Sequence, residues 1–146
     1  MNRISRQFRF WHSLYSDLPN NSHVLRKVVK ILYKISFENV YNTDVSLDTR
    51  VGSNLTIHHG YGLVIHPLSI LGDNVVIRHC TTIGERNGYT PVIGNNVDVG
   101  CNVVIIGRIS IGSNTSIGAG SIVVDSIPEN SVVYGGKAKS YSRNRP

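Results

Sequence analysis

From residue 39 onward an aliphatic side chain returns about every sixth position, with small and polar residues between. From Val45 the units read VSLDTR, VGSNLT, IHHGYGLV, IHPLSI, LGDNVV, IRHCTT, IGERNGYTPV, IGNNVD, VGCNVV, IIGRIS, IGSNTS and IGAGSI. Ten have six residues, one has eight and one has ten. A fixed six-residue period predicts a parallel β-helix, an all-β solenoid in which each unit is a short strand plus a turn. Three units close one triangular coil, so twelve units make about four coils. The first aliphatic of each unit points inward and stacks on its equivalent in the next coil. Gly and Asn at the corners accept the positive φ of tight turns. A β-sandwich of short strands would not keep so strict a period.

Upstream the period changes from six to helical. In SHVLRKVVKILYKISF (22–37) the residues Leu25, Val28, Val29, Leu32 and Ile35 share one helical stripe, and Arg26, Lys27, Lys30 and Lys34 take the other side. Ser22 stands as the N-cap. A shorter helix with Ile4, Phe8 and Trp11 in step ends near DLPNN. The chain therefore divides into a helical cap (1–38), the β-helix (39–134) and a basic tail (135–146). The helices are expected to close the open end of the solenoid, which needs such a cap. A second reading lays the basic amphipathic face on the inner membrane surface.

Composition narrows the setting. The chain has 146 residues and a net charge of +6, which favours an anionic partner. No apolar run approaches the ~20 residues of a membrane span, and the start carries no signal-peptide core. The expected compartment is the cytoplasm. Cys80 and Cys101, the two cysteines, fit reduced thiols there. No recognition motif for nucleic acid accompanies the charge.

Two units break the period, and both are chemically rich. The eight-residue unit holds His58, His59, Gly60, Tyr61 and Gly62. Assigned in turn to three faces, the units place Asp44 and His59 near one corner on adjacent coils. A carboxylate beside an imidazole is an orient-and-activate pair, in which His accepts a proton and Asp fixes its tautomer. On spacing alone, a polar loop histidine remains the plain alternative.

Asp44, a fifteen-residue step to HHGYG, and then LGDNVVIRHCTTIG resemble the serine acetyltransferase branch of the hexapeptide-repeat acyltransferases. The resemblance covers about residues 40 to 139. It implies a left-handed hand for the β-helix, which periodicity does not supply. It implies His59 as general base, Asp44 as its partner, and acetyl-CoA as co-substrate without a metal. It implies a homotrimer with active sites between subunits, the ten-residue unit IGERNGYTPV (83–92) being the loop that crosses the interface.

Cys101 and Ala119 match positions whose backbone contacts the pantetheine arm. Gly84 matches a glycine near the thioester, and Glu85 replaces the glycine that follows it. Lys137 and Lys139 match the end of the family pattern and are candidates for the phosphates of coenzyme A.

The chain departs from the serine enzymes at the acceptor. His58 stands where they carry Asp, and Thr90-Pro91 where they carry His-Pro, so the acid and base that grip serine are absent. About 40 residues precede the coils in place of the long helical domain. In this the chain resembles the short members that O-acetylate bacterial surface polysaccharides.

The expected reaction is acetyl transfer to a sugar hydroxyl, with serine as the alternative acceptor and a non-catalytic scaffold as a further one. Tyr61, Arg78, His79, Glu85, Arg86 and Thr90 join His58 as candidate acceptor contacts. A zinc carbonic anhydrase-like β-helix needs a His-x4-His pair, which this chain lacks.

Overall fold

Fourteen strands, each of two or three residues, follow the six-residue beat in the computed structural model, which describes residues 2–135. They form three parallel sheets. The first face stacks Asp44–Val45, Val64–Ile65, Thr82–Gly84, Val104–Ile106 and Ile122–Val123. The second stacks Arg50–Val51, Ile70–Leu71, Val92–Ile93 and Ser110–Ile111. The third stacks Thr56–His58, Val76–Arg78, Asp98–Val99, Ser116–Ile117 and Val132–Val133. The chain visits the faces in rotation, so every coil is one triangle of a left-handed β-helix.

The aliphatic that opens each unit is the residue that turns inward. Val45, Ile65, Ile83, Ile105 and Val123 form one buried ladder. Leu71, Ile93 and Ile111 form another, and Ile57, Ile77, Val99 and Ile117 the third. Each fully buried Ile or Leu contributes about 1.5–3 kcal/mol of transfer free energy.

The corner between the second and third faces is built on asparagine. Asn54, Asn74, Asn96, Asn114 and Asn130 all take positive φ, between 55° and 59°. The Nδ2 of each of the first four donates to the next Oδ1 at 3.0 Å along the stack. Asn suits this place because it tolerates the left-handed region and its amide both donates and accepts.

Two helices cover the N-terminal coil: α1 (Arg3–Ser16) and α2 (His23–Tyr33). A π-helical turn, Lys34–Glu38, and a last helical turn α3, Asn39–Tyr41, lead into the first strand at Asp44. Helical geometry thus continues past residue 38. Phe8 of α1 is buried with Ile4 and Trp11 packed beside it, as their spacing predicted. Asn2 Nδ2 and Ser5 Oγ both donate to the Ile57 carbonyl, fixing α1 to the coil that carries the histidine pair. Asp48 of the first coil accepts from Tyr15 Oη at 2.7 Å and pairs with Lys30 at 2.6 Å, tying both helices down.

Helix α2 turns differently from its expected stripe. Its buried residue is Val29, joined by Tyr33 and by Phe37 of the π turn, while Leu25, Val28, Leu32 and Ile35 are exposed. Aromatic packing decided this: Tyr33 and Phe37 stack on each other, and both meet Phe8. The Ser22 hydroxyl donates to the Pro19 carbonyl instead of capping the helix.

Candidate active site

The corner between the third and first faces carries the histidines. Strand register pairs His58 with Arg78 and Val64 with Thr82, so the upper coil holds two more residues than the lower one in this turn. Hydrogen bonds show which two. Cys80 N donates to the Tyr61 carbonyl, Asn102 N to that of His79 and Gly120 N to that of Cys101. Tyr61, His79, Cys101 and Ala119 are therefore equivalent, and the inserted pair is His59 and Gly60.

The local backbone explains the residue choice. His59 has φ 52°, in the left-handed region, and its side chain is exposed. Gly60 is buried, and a Cβ there would sit 3.0 Å from Ile57 Cγ2 and 3.3 Å from Ile4 Cγ2. Gly60 thus closes the insertion against α1, and His59 is thrown outward.

The His59 ring meets the His79 ring edge to face, with centroids 6.1 Å apart. His79 Nδ1 is buried and has no hydrogen-bond partner. Tyr61 is exposed and lies edge-on to Tyr41, 5.8 Å between centroids. His58 is half-buried one coil above Arg78. Arg78 pairs with Asp98, which holds its guanidinium charged more firmly than usual, and also donates to the Val99 carbonyl.

Asp44 reaches the same corner from the coil above. Its N–H donates to the Leu63 carbonyl at 2.8 Å, and it is exposed at the head of the first face. Among the described residues no hydrogen bond joins the Asp44 and His59 side chains.

Sequence reasoning missed Glu38. This half-buried carboxyl ends the π turn; burial raises its pKa above the ordinary value, and the charge of Asp44 raises it further. The cue available was the place of Glu38 six residues before Asp44.

Below the histidines a groove of about 360 Å³ descends the third face past Arg78, Gly100, Cys101, Gly118, Ala119 and Tyr134. Small side chains keep its wall low. Cys101 and Ala119 line this groove, and its upper end lies near Arg78 and His79.

The ten-residue unit projects from a different corner, between the first and second faces. Arg86 and Tyr89 bridge around Asn87 and Gly88, both with positive φ, forming a small hairpin. The Glu85 carboxylate accepts from Gly88 N–H inside that hairpin. Thr90 Oγ1 donates to the Leu68 carbonyl at 3.0 Å, and Arg108 lies over the Tyr89 ring. Gly84 ends its strand at this same corner, across the first face from Cys101.

One chain thus gathers His58, His59, Tyr61, Arg78, His79, Cys101, Ala119 and Asp44 on one edge. It holds Gly84, Glu85, Arg86 and Thr90 at another. Lys137 and Lys139 lie outside the described residues. No group of three His, Cys, Asp or Glu able to hold a metal occurs among the described residues.

A left-handed β-helix with a histidine inserted at a corner above a groove matches the architecture expected of the hexapeptide-repeat acyltransferases. The comparisons agree. The chain is 44% identical over 112 residues to the protein named "Putative colanic acid biosynthesis acetyltransferase WcaB" of Escherichia coli K12, covering 75% of this chain and 69% of that one. It is 34% identical over 118 residues to serine acetyltransferase 2 of Arabidopsis thaliana, covering 78% of this chain and 36% of the other.

Among solved structures, serine acetyltransferase isoform 3 of Entamoeba histolytica with cysteine aligns at TM-score 0.77 and 25% identity, over 97% of this chain and 50% of that one. The Neisseria gonorrhoeae serine acetyltransferase with serine aligns at TM-score 0.73 and 34% identity, over 94% and 55%. The chain spans about half the length of these solved structures. No protein-family model matches it.

The chain belongs to the hexapeptide-repeat acetyltransferases, in their serine acetyltransferase-like branch. It is an acetyl-CoA-dependent acyltransferase.

Proposed function

We propose that the chain O-acetylates a sugar hydroxyl during synthesis of a bacterial surface polysaccharide, such as a capsule, exopolysaccharide or O-antigen. The observation that carries this reading is the inserted His59, exposed above the Cys101–Ala119 groove at a corner also furnished with His79 and Tyr61. The relative of 44% identity bears the name of an acetyltransferase of colanic acid biosynthesis, which supports a saccharide acceptor.

The chemistry follows from the groups present. Acetyl-CoA lies along the groove with its thioester end toward the histidines. His59 takes the proton from the acceptor hydroxyl as the oxygen attacks the thioester carbonyl. Backbone N–H groups hold the oxyanion. The C–S bond then breaks, and the leaving thiolate takes the proton from the His59 imidazolium. The products are an O-acetyl sugar and coenzyme A, with His59 restored. Asp44 orients the base. Tyr61 offers a ring face to the sugar, and the half-buried His79 ring beside His59 offers its other nitrogen, Nε2, to a neighbouring hydroxyl.

The two-corner distribution supports a shared site. A second copy presenting its Glu85–Thr90 hairpin to the His59 corner unites the candidate residues, as a closed homotrimer would do three times. A second reading, serine as acceptor, draws on the serine acetyltransferase neighbours. Against it, the Thr90 hydroxyl is spent on the Leu68 carbonyl and His58 replaces the acid.

The test is transfer of labelled acetyl from acetyl-CoA to a panel of sugars and oligosaccharides, and separately to L-serine, by wild type and His59→Ala. Label on a saccharide that vanishes in the variant is the expected result. Label on serine alone overturns the acceptor assignment.

A further inference from the structure

Helix α2 carries two apolar stripes, and the β-helix uses one. Val29, Tyr33 and Phe37, spaced by four, are buried. Val24, Leu25, Val28, Ile31, Leu32 and Ile35 are all exposed, by 45% to 80%. Their steps of three and four put them on one side of the helix. Between the two stripes runs a third, of cations: Lys27, Lys30 and Lys34, with His23 and Arg26 beside them. Lys27 and Lys34 are exposed. Tyr15, Asn20, His23, Arg26, Lys27 and Lys30 line an open hollow of about 460 Å³ on this flank. No Asp or Glu occurs from residue 22 to 37.

Leaving six large aliphatics in water costs transfer free energy that the fold does nothing to recover. An apolar side edged by cations, with no acid, complements one surface in particular. Anionic lipid headgroups meet the lysines while the aliphatics enter the boundary of the acyl layer. Among the described residues no helix is long and apolar enough to cross a membrane, and the contact proposed for α2 is interfacial.

We infer that the exposed face of α2 docks the protein on an anionic phospholipid surface. Val24, Val28, Ile31 and Ile35 form its centre, and Lys27 and Lys34 its headgroup edge. Docking is a separate property from acetyl transfer and stands or falls without it.

The experiment is co-flotation of the full chain with vesicles of phosphatidylcholine alone or mixed with phosphatidylglycerol. Binding is expected to the mixed vesicles and at least about tenfold weaker to the neutral ones, falling as salt shortens the screening length. Lys27→Glu with Lys34→Glu weakens it by at least about tenfold. Val28→Ser, Ile31→Ser and Ile35→Ser together abolish it, while thermal unfolding and acetyl transfer to a soluble acceptor stay at wild-type levels. Wild type that ignores the mixed vesicles overturns the inference, as does a triple variant that binds them fully. A triple variant that instead falls to a smaller oligomer, with wild type indifferent to lipid, assigns the face to a second copy and also overturns it.

Discussion

The imidazole rings of His59 and His79 meet edge to face, with centroids 6.1 Å apart, although the two residues belong to successive coils. The contact exists because His59 is an inserted residue in a left-handed backbone conformation, whereas His79 holds the ordinary corner position below. One ring is exposed and the other is half-buried beside it. This suits a division of labour between a proton acceptor and a group that positions the acceptor sugar.

His59→Ala is expected to cut kcat/KM by about 10²–10⁴, the range of a lost general base. His79→Ala is expected to lower kcat/KM for the sugar by roughly tenfold, the size of one lost hydrogen bond, with the KM for acetyl-CoA unchanged. His79→Gln should recover part of the loss. Steady-state kinetics with each substrate varied in turn decide this. Equal damage to both KM values in His79→Ala would count against its place at the acceptor.

In the proposed mechanism Asp44 acts through His59, and the two side chains share a corner without a direct hydrogen bond. Asp44→Asn should therefore cost less than His59→Ala, about 10- to 100-fold in kcat/KM. A loss as large as that of His59→Ala would mean the pair acts as one unit.

The proposed two-corner site predicts complementation. His59→Ala and Arg86→Ala subunits, each inactive alone, are mixed by unfolding and refolding together. Random assortment around a closed ring leaves about a quarter of the sites with an intact histidine facing an intact hairpin. Recovery of activity on that scale checks the shared site; none would place all the chemistry within one chain.

Glu38 gives stability a dependence on pH. Burial first, and then the charge of Asp44, raise its pKa in the folded chain above the unfolded value of 4.5. The folded state then holds more proton than the unfolded one, so stability falls as pH rises from about 4.5 through the raised value. Glu38→Gln removes that loss. Its melting temperature should match wild type near pH 4 and exceed it at pH 7. A variant less stable at pH 7 would show that the carboxylate is held by favourable contacts instead.

The asparagine ladder gives a mutation with a known mechanism. Asn96 has φ 55°, accepts from Asn74 and donates to Asn114. Asn96→Ala should destabilise by about 2–3 kcal/mol, combining the left-handed penalty with the lost bonds. Asn96→Gly avoids the steric part and should lose less. Denaturant unfolding of the two variants checks the order.

Much of this was legible in the residues. The six-residue period named the architecture because a solenoid repeats one local solution, and each inward aliphatic meets its own copy. Val45, Ile65 and Ile83 stack because they open their units, with no long-range choice to make. The insertion at His59 and the equivalence of Cys101 with Ala119 could be counted along the chain for the same reason. Phe8, with Ile4 and Trp11, also fell where helical spacing put it.

Other features depended on packing between unlike elements, which no period encodes. Helix α2 carries two apolar stripes of similar merit, and only the ring contacts of Tyr33 and Phe37 with Phe8 decided which one faced inward. Glu38 became notable only when the π turn set it beside the Asp44 charge. Arg78 and Thr90 lost their freedom to Asp98 and the Leu68 carbonyl, partners 20 and 22 residues away. The sequence by itself determined the coil, its ladder and the histidine that leaves it, because those are local and repeated. Tertiary structure alone decided the orientation of the helical cap and the separation of the hairpin from the His59 corner, because competing surfaces there had to be weighed against each other in space.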